Sequence, residues 1–179
     1  MQATQVEKRK KSWKREALEW GLTFLIALAI ALPVRAFVFS PYIVQGHSMM
    51  DTLTDRETMF ATKYDYLLGD PARFDVVICR YPGRSETFVK RVAGIPGDTV
   101  AVQDGYLYVN GDRYEETYIT RRPNYRMEAY TLQEDEYFVL GDNRANSNDS
   151  HLVGPIQRKQ IIAHVRFVLY PFDRIRGIQ

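Results

Sequence analysis

Ser48 is a candidate nucleophile in the run Val44–Leu53, which reads V-Q-G-H-S-M-M-D-T-L. A serine hydroxyl needs a neighbouring base before it attacks, and most serines are solvated or cap a turn. Lys90 is one candidate base. In the strand pattern Thr87–Val92 it alternates with apolar residues, so a covered face would desolvate the ammonium, lower its pKa and leave a neutral amine able to act as a general base. The alternative interpretation is an inward-pointing lysine on an edge strand, placed against aggregation.

Histidine is the other possible source of a base. His47 adjoins Ser48 but would point the opposite way in an extended segment, and His151 and His164 stay open as triad candidates. The chain has no G-x-S-x-G, which argues against an α/β-hydrolase. A further polar stretch, Gly141–Gly154, is dense in Asp, Asn and Ser. It is interpreted either as a surface loop or as a buried, hydrogen-bonded wall of a site.

An apolar segment before these residues predicts a membrane anchor. Trp20–Val34 holds 15 residues without a charge, and the run reaches 20 residues at Phe39 if Arg35 snorkels to the interface. A buried amphipathic helix is one alternative, although Leu22–Leu32 contains Thr23 as its one polar residue. A cleaved secretory signal peptide is the other, although no A-x-A site follows the apolar run.

The distribution of charge sets the expected orientation of that anchor. Residues 1–16 carry six Lys or Arg against two Glu. The positive-inside rule then predicts a basic cytoplasmic tail over 1–16, a transmembrane helix over 17–39 and an extracytoplasmic catalytic domain over 40–179, in a single-pass protein of the cell membrane.

The domain that follows the anchor is predicted to be mainly β. Short strand patterns with closely spaced turn signals favour an all-β sandwich or a partly open barrel. The candidate strands are Tyr42–Val44, Arg73–Cys79, Glu86–Ala93, Thr99–Val102, Tyr106–Val109, Tyr137–Leu140 and Ile161–Tyr170. The polar, tyrosine-rich residues 112–136 are interpreted as an inserted loop or hairpin.

Composition excludes several classes of function. The net charge is +2, and the basic excess lies in the tail, so the β-rich domain is not a nucleic-acid binder by charge. The single cysteine excludes an internal disulfide, and with three scattered histidines it gives no zinc-like cluster. This residue, Cys79, lies in an apolar strand pattern that predicts a buried structural thiol.

Three stretches in this order resemble the boxes of the bacterial type I signal peptidases, which are membrane-anchored Ser–Lys proteases. Gly46–Leu53 resembles the nucleophile box S-M-x-P-T-L, and Phe88–Asp98 resembles the lysine box. Gly141–Ser150 resembles the box G-D-N-R-x-x-S-x-D-S, and Arg73–Val77 fits the intervening strand box. The anchor precedes them as in the family, and the resemblance covers nearly the whole chain, least well residues 112–136.

The resemblance implies a fold and a set of residue roles. The expected fold is a signal-peptidase-like open β-barrel or sandwich with an N-terminal transmembrane helix. Ser48 would be the nucleophile, Lys90 the general base, and Ser147 would bond and orient the Lys90 amine. The residues that would brace the site without doing chemistry are Asp142, Arg144 and Asp149. The residues that would help line shallow apolar substrate pockets are Tyr42, Ile43, Val44 and Met49.

The implied activity is removal of N-terminal signal peptides from exported preproteins, through an acyl-enzyme and without a metal or cofactor. Substrates would carry small residues at positions −1 and −3 and would lie as an added strand at an open sheet edge. The implied partners are these signal peptides, the lipid bilayer and a nearby protein-secretion translocase, with no nucleic acid. Two other functions stay open: a self-cleaving Ser–Lys protease, which should be soluble, and a membrane-tethered β-domain that binds partners without catalysis.

Three positions depart from the family pattern. Asp51 stands where the family usually has Pro, which bears on the turn after the nucleophile. His151 stands where the last box usually has Arg, which bears on the strength and pH dependence of a salt bridge to Asp149. Gly46 stands where some members carry a hydroxyl residue, so the Ser48 backbone N–H, or another donor, would have to form the oxyanion hole.

Overall fold

The computed structural model describes residues 13–34, 39–50 and 52–178, which belong to two compact units. The first unit contains the helix α1 (Trp13–Pro33), and none of its residues is buried. By length and composition, α1 is able to cross a membrane.

The limits of α1 differ from those of the predicted anchor. The helix begins at Trp13, inside the stretch expected to be a tail, instead of at residue 17. The end of the predicted anchor, including Arg35 and Phe37, lies outside the described residues, as does most of the basic tail.

The second unit is built of antiparallel strands and confirms the predicted mainly β fold. Its strands are β1 (Phe39–Ile43), β2 (Thr58–Thr62), β3 (Val76–Cys79), β4 (Phe88–Gly94), β5 (Thr99–Gln103), β6 (Tyr106–Val109), β7 (Asp112–Tyr114), β8 (Met127–Thr131), β9 (Glu136–Leu140), β10 (Ile156–Gln157), β11 (Ile161–Tyr170) and β12 (Arg176–Gly177). Its helices are α2 (Asp65–Leu68) and α3 (Ser150–Val153), with 3-10 turns at Arg144–Asn146, Arg158–Gln160 and Phe172–Arg174.

Two sheets organise these strands. Eight strands form a sheet in the order β1-β2-β11-β3-β4-β9-β10, with β12 beside β11, and four form a second sheet in the order β7-β6-β5-β8. Within the described residues β1 pairs with β2 alone, so its other edge is open. By contrast β4 lies between β3 and β9 and is an interior strand.

Residues 112–136 differ from both a loop and a hairpin. They supply β7 and β8, which do not pair with each other but flank the β5–β6 hairpin at opposite edges of the second sheet. Both strands are largely exposed, so their sequences lack the alternation of apolar and polar residues from which a strand is recognised. The sequence analysis also missed the strand β2, although its residues Met59 and Ala61 are buried and alternate with less buried neighbours.

Apolar side chains pack on both faces of the large sheet. On one face Val77 and Val92 belong to a buried cluster against which Tyr66 of α2 packs. On the other face, Phe138 and Leu140 pack with the inner residues of the second sheet. A β-carbon on Gly94 would lie 2.5 Å from Val100 Cγ2, so the chain passes from one sheet to the other at a position where only glycine fits without displacing neighbours.

Candidate active site

The turn that carries Ser48 is fixed by the core beneath it. Met49 and Leu53 are 2% and 0% exposed and pack with Val44 in a third apolar cluster. The Leu53 N–H donates to the Met49 carbonyl at 2.8 Å, which closes the turn. Burial of these neighbours leaves Ser48 half-buried beside an open groove.

Lys90 is the hydrogen-bond partner of Ser48. Its Nζ lies 2.6 Å from Ser48 Oγ, and the residue is 1% exposed. Because β4 is an interior strand, the alternative interpretation of Lys90 as an edge-strand lysine is wrong. Burial lowers the pKa of the Lys90 ammonium below its ordinary value of 10.5, against the opposing influence of Asp149, the Cys79 thiol and Asp142.

The three histidines lie in other environments. His151 Nδ1 is 2.6 Å from Asp149 Oδ1. His164 Nδ1 is 3.6 Å from Asp65 Oδ2, and His164 Nε2 is 3.6 Å from Asp75 Oδ1. His47 is exposed, and in the described part of the chain no histidine is hydrogen-bonded to Ser48.

The loop after β9 holds the nucleophile turn from its other side. The Asn143 backbone N–H donates to the Ser48 carbonyl at 3.0 Å, and its side-chain Nδ2 donates to the His47 carbonyl at 3.0 Å. A β-carbon on Gly141 would overlap both the Ser48 carbonyl oxygen and Ser147 Oγ. The close approach of two backbones therefore requires glycine at position 141.

A buried ion pair between Asp142 and Arg91 joins the stretch Gly141–Ser150 to the stretch Phe88–Asp98. Arg91 donates to its two oxygens at 3.0 and 2.9 Å, and both side chains are at most 2% exposed. The Thr52 hydroxyl also donates to Asp142. The sequence analysis gave Arg91 no role, although a strand that turns Lys90 to one face must turn Arg91 to the other, where a buried guanidinium needs a carboxylate.

Arg144 is paired with a residue that the sequence analysis missed. Its guanidinium donates to both oxygens of Glu116, and its Nε donates to the Gly141 carbonyl at 3.2 Å. Tyr118 also donates to Glu116, at 2.6 Å. Glu116 and Tyr118 belong to residues 112–136, so the segment that resembles the family least supplies the counter-ion.

Asp149 is fully buried and bridges the loop to α3. Its Oδ2 accepts the Gly141 N–H at 2.8 Å, and its Oδ1 contacts the His151 ring. Tyr125 stacks on that ring at 4.0 Å between centroids. The histidine that stands in place of the family's arginine therefore still contacts Asp149.

Ser147 lies near the Ser48 carbonyl without the expected bond to Lys90. Its Oγ is buried and has no hydrogen-bond partner among the described residues, so the hydrogen bond to Lys90 that the resemblance implies is not present there. The hydroxyl lies near Gly141 and the Ser48 carbonyl instead.

The open groove beside Ser48 has a volume of about 1090 Å³. One wall is Pro41–Gly46, which follows the open edge of β1, and the facing wall is Gly83–Val89. The residues expected from the sequence to line substrate pockets all border this groove: Tyr42, Ile43, Val44 and Met49. The facing wall was not singled out by the sequence analysis.

The remaining positions of interest are Gly46, Asp51 and Cys79. Gly46 has a φ of +90°, a conformation in which a side chain would be strained, and its N–H donates to Asp55 Oδ1 at 2.8 Å. Asp51 lies outside the described residues. Cys79 is buried as predicted, and burial raises the pKa of its thiol to about 12.

Comparison with known proteins identifies the family. The model of the family described as signal peptidase, peptidase S26, matches residues 17–170. The chain belongs to this family. It is 39% identical over 181 residues to signal peptidase I of Bacillus amyloliquefaciens. The alignment covers 95% of this chain and 97% of that protein.

More distant members of the family are also similar to the chain. The chain is 36% identical over 177 residues to signal peptidase I S of Bacillus subtilis, covering 92% of this chain and 95% of that protein. A probable signal peptidase I-2 of Synechocystis is 34% identical over 179 residues, covering 93% of this chain and 82% of that protein. A crystal structure of a signal peptidase I from Enterococcus faecalis aligns with 54% of this chain and 97% of that chain, with a TM-score of 0.49 and 29% identity.

Membership confirms the resemblance drawn from the sequence. The S26 chain is a serine endopeptidase of the class that removes signal peptides.

Proposed function

We propose that this S26 peptidase cleaves signal peptides from exported preproteins with Ser48 as nucleophile and Lys90 as general base. The observation that carries the proposal is the 2.6 Å contact between Lys90 Nζ and Ser48 Oγ, made by a lysine that is 1% exposed. A buried amine with a lowered pKa is neutral at lower pH than an exposed lysine, and a neutral amine is able to accept the hydroxyl proton.

The reaction proceeds in two halves. Neutral Lys90 accepts the Ser48 proton as Oγ attacks the scissile carbonyl carbon, and the ammonium then gives that proton to the leaving amine of the mature protein. The signal peptide stays on Ser48 as an ester. Lys90 next takes a proton from a water molecule that attacks the ester, and it returns the proton to Ser48 Oγ. The Ser48 backbone N–H serves as an oxyanion donor, since position 46 has no hydroxyl.

The groove supplies the means of holding the peptide. The unpaired edge of β1 offers backbone donors and acceptors to an extended segment that adds as a strand. Tyr42, Ile43, Val44 and Met49 then line the pockets for alternate side chains. Small residues at −1 and −3 fit shallow pockets in a wall whose Val44 and Met49 are already packed in the core.

The bracing residues act through position rather than chemistry. Asp142, Arg144 and Asp149 hold the loop that contacts the Ser48 carbonyl and keep buried carboxylates near Lys90. Ser147 has unused hydrogen-bonding capacity beside the dyad, which suits a hydroxyl that bonds the Lys90 ammonium once the proton has moved.

The setting of the reaction is the membrane surface. The exposed, apolar α1 serves as a single transmembrane anchor, with the basic tail in the cytoplasm and the β-rich unit outside. This arrangement brings the groove to preproteins as they leave a secretion translocase.

The test is cleavage of an exported preprotein by the full chain in liposomes. Wild type should cut after the signal peptide, and Ser48→Ala and Lys90→Ala should each lose at least about a thousandfold in kcat/KM. Ser85→Ala is a matched control, because Ser85 lines the same groove and is exposed. Lys159→Ala is the control for an exposed lysine.

The folding of every variant is compared by circular dichroism. Cleavage that survives in folded Ser48→Ala or Lys90→Ala would assign the chemistry to other residues. A folded wild type that cleaves no preprotein would instead leave the alternative of a membrane-tethered domain that binds without catalysis.

A further inference from the structure

A second cavity adjoins the nucleophile turn and shares no lining residue with the groove. It has a volume of about 240 Å³ and is lined by Met50, Thr120, Arg121, Asp142 and Asn143. The groove reaches Ser48 and Met49, whereas this cavity begins at Met50. Asn143, which borders the cavity, donates its backbone N–H to the Ser48 carbonyl. The second cavity is therefore bordered by the residue that follows Met49 in the Ser48 turn and by the residue that holds the Ser48 carbonyl.

The position of the second cavity suits the mature part of the preprotein, which leaves after the bond is cut. If the signal peptide occupies the groove up to the scissile bond, the chain beyond the bond must continue past Ser48. An extended peptide advances about 3.3 Å per residue, so its next two or three residues lie within about 10 Å of the bond. Those residues are the first of the mature protein, and a path past Met50 and Asn143 would bring them to the second cavity.

Among the described residues that line this cavity, the charge available to a ligand is positive. Asp142 is already engaged by the buried Arg91 guanidinium and by Thr52. Arg121 is exposed, and among the described residues it has no ion pair or hydrogen bond. A guanidinium with its donors unused is suited to a carboxylate, which it meets with two parallel hydrogen bonds.

The neighbouring arginine has a different environment. Arg122 lies over the Tyr106 ring at 4.1 Å, and its side chain packs near Gly105 in the turn between β5 and β6. It does not line the cavity. Arg121 therefore lines the cavity, whereas the adjacent Arg122, which has the same charge, does not.

We propose that Arg121 is a specificity-determining residue that favours preproteins with Asp or Glu among the first residues after the cleaved bond. The inference rests on the proposed function, because it takes Ser48 as the point of cleavage. Since Arg121 is exposed, the preference should be moderate, about two- to fivefold in kcat/KM, and should weaken as salt is raised.

The experiment compares preproteins that differ only in the two residues after the cleaved bond, as acidic, amide or lysine pairs. The full chain is assayed in zwitterionic liposomes. Wild type should cleave the acidic substrate about threefold better than the amide substrate. Arg121→Gln should bring that ratio to about one, and Arg121→Glu should favour the lysine substrate. Arg122→Gln, the matched control, should keep the wild-type ratio.

Several results would overturn the inference. One is a ratio that is unchanged in Arg121→Glu, and another is a ratio that Arg122→Gln lowers equally, which would indicate a general field. If Arg121→Gln slows all substrates equally, and only in vesicles with anionic lipid, the guanidinium contacts headgroups and not the peptide. Wild type that cleaves all the substrates at equal rates refutes this inference alone, whereas wild type that cleaves none refutes the proposed function with it.

Discussion

Lys90 is an ionisable side chain held inside an interior strand, and its environment decides its protonation. Burial lowers its pKa, while nearby Asp149 and Asp142 keep the shift from going further. A lysine on an exposed strand would be protonated at neutral pH and unable to accept a proton. In the proposed mechanism the same side chain acts as a base because it is buried on its face of β4.

The pH dependence of cleavage tests that protonation state. The base works only when neutral, so kcat/KM should rise with pH through the lowered pKa of Lys90 and be lost as pH falls through it. The midpoint of the rise should lie below 10.5, the ordinary lysine value. A pH series of initial rates measures it, with circular dichroism at each pH as the control for folding. A rate that stays constant down to acid pH would contradict the role of Lys90.

Replacing Lys90 by Met should separate stability from activity. Between its lowered folded pKa and 10.5, Lys90 binds a proton in the unfolded chain that it lacks in the folded one, so the free energy of unfolding rises with pH across this window. Lys90→Met should be inactive. It removes the free-energy cost of burying an ionisable amine, and the methionine side chain fills the space of the lysine. We expect it to be more stable than wild type at neutral pH by about 0.5–2 kcal/mol.

Denaturant unfolding at several pH values checks this expectation. The difference in stability between Lys90→Met and wild type should shrink as the pH approaches 10.5. A variant that is less stable than wild type at neutral pH would mean that Lys90 is charged in the folded protein and held by its carboxylate neighbours.

The loop after β9 shows, at the scale of an element, how the fold brings distant residues to the dyad. Gly141 lies against the Ser48 carbonyl, and Asn143 bonds both Ser48 and His47. The loop is in turn held by Asp149 and by the pairs Arg91–Asp142 and Arg144–Glu116. The position of Ser48, the proposed nucleophile, therefore depends on a loop more than ninety residues away in sequence.

Gly141→Ala tests this close approach. The added methyl overlaps the Ser48 carbonyl oxygen and Ser147 Oγ, so the loop and the nucleophile turn must separate. A displacement of about 1 Å is enough to lower kcat by roughly a hundredfold. Gly111→Ala is the control, because a β-carbon there meets no atom within 4 Å, although its φ of +87° adds backbone strain. Full activity in folded Gly141→Ala would show that the loop does not set the geometry.

Most strands that alternate or are wholly apolar were predictable from the sequence, although β2, which alternates, was missed. All seven predicted strands lie on observed strands, with ends that differ by at most three residues. The edge strands β7 and β8 were not predicted, because exposed strands lack a periodic apolar signal. Spacing could place Ser48 and Lys90 in their boxes, but it could not pair Arg91 with Asp142 or Arg144 with Glu116. Such pairings depend on which side chains meet across the fold, and sequence separation carries no information about that.

At the scale of the whole molecule, the chain joins an exposed apolar helix to a β-rich unit with its own core. None of the residues of α1 is buried, whereas the β-rich unit contains three apolar clusters. Water would not tolerate so much exposed apolar surface on a helix of 21 residues, so a lipid environment is the setting that α1 fits. The proposed removal of signal peptides outside the cytoplasm requires that the β-rich unit face outward.

The proposed orientation predicts which sites a membrane-impermeant maleimide reaches. Cys79 is the only cysteine in the sequence, is 0% exposed and has a pKa raised to about 12, so the natural chain should resist labelling. Glu134→Cys, in the exposed β8–β9 turn, should label in intact cells stripped of their wall. Gln5→Cys, in the basic tail, should label only after lysis. The opposite pattern would invert the orientation, and labelling of both before lysis would show that α1 does not span the membrane. Wild-type cleavage by both variants would show that the introduced cysteines report the topology of the active enzyme.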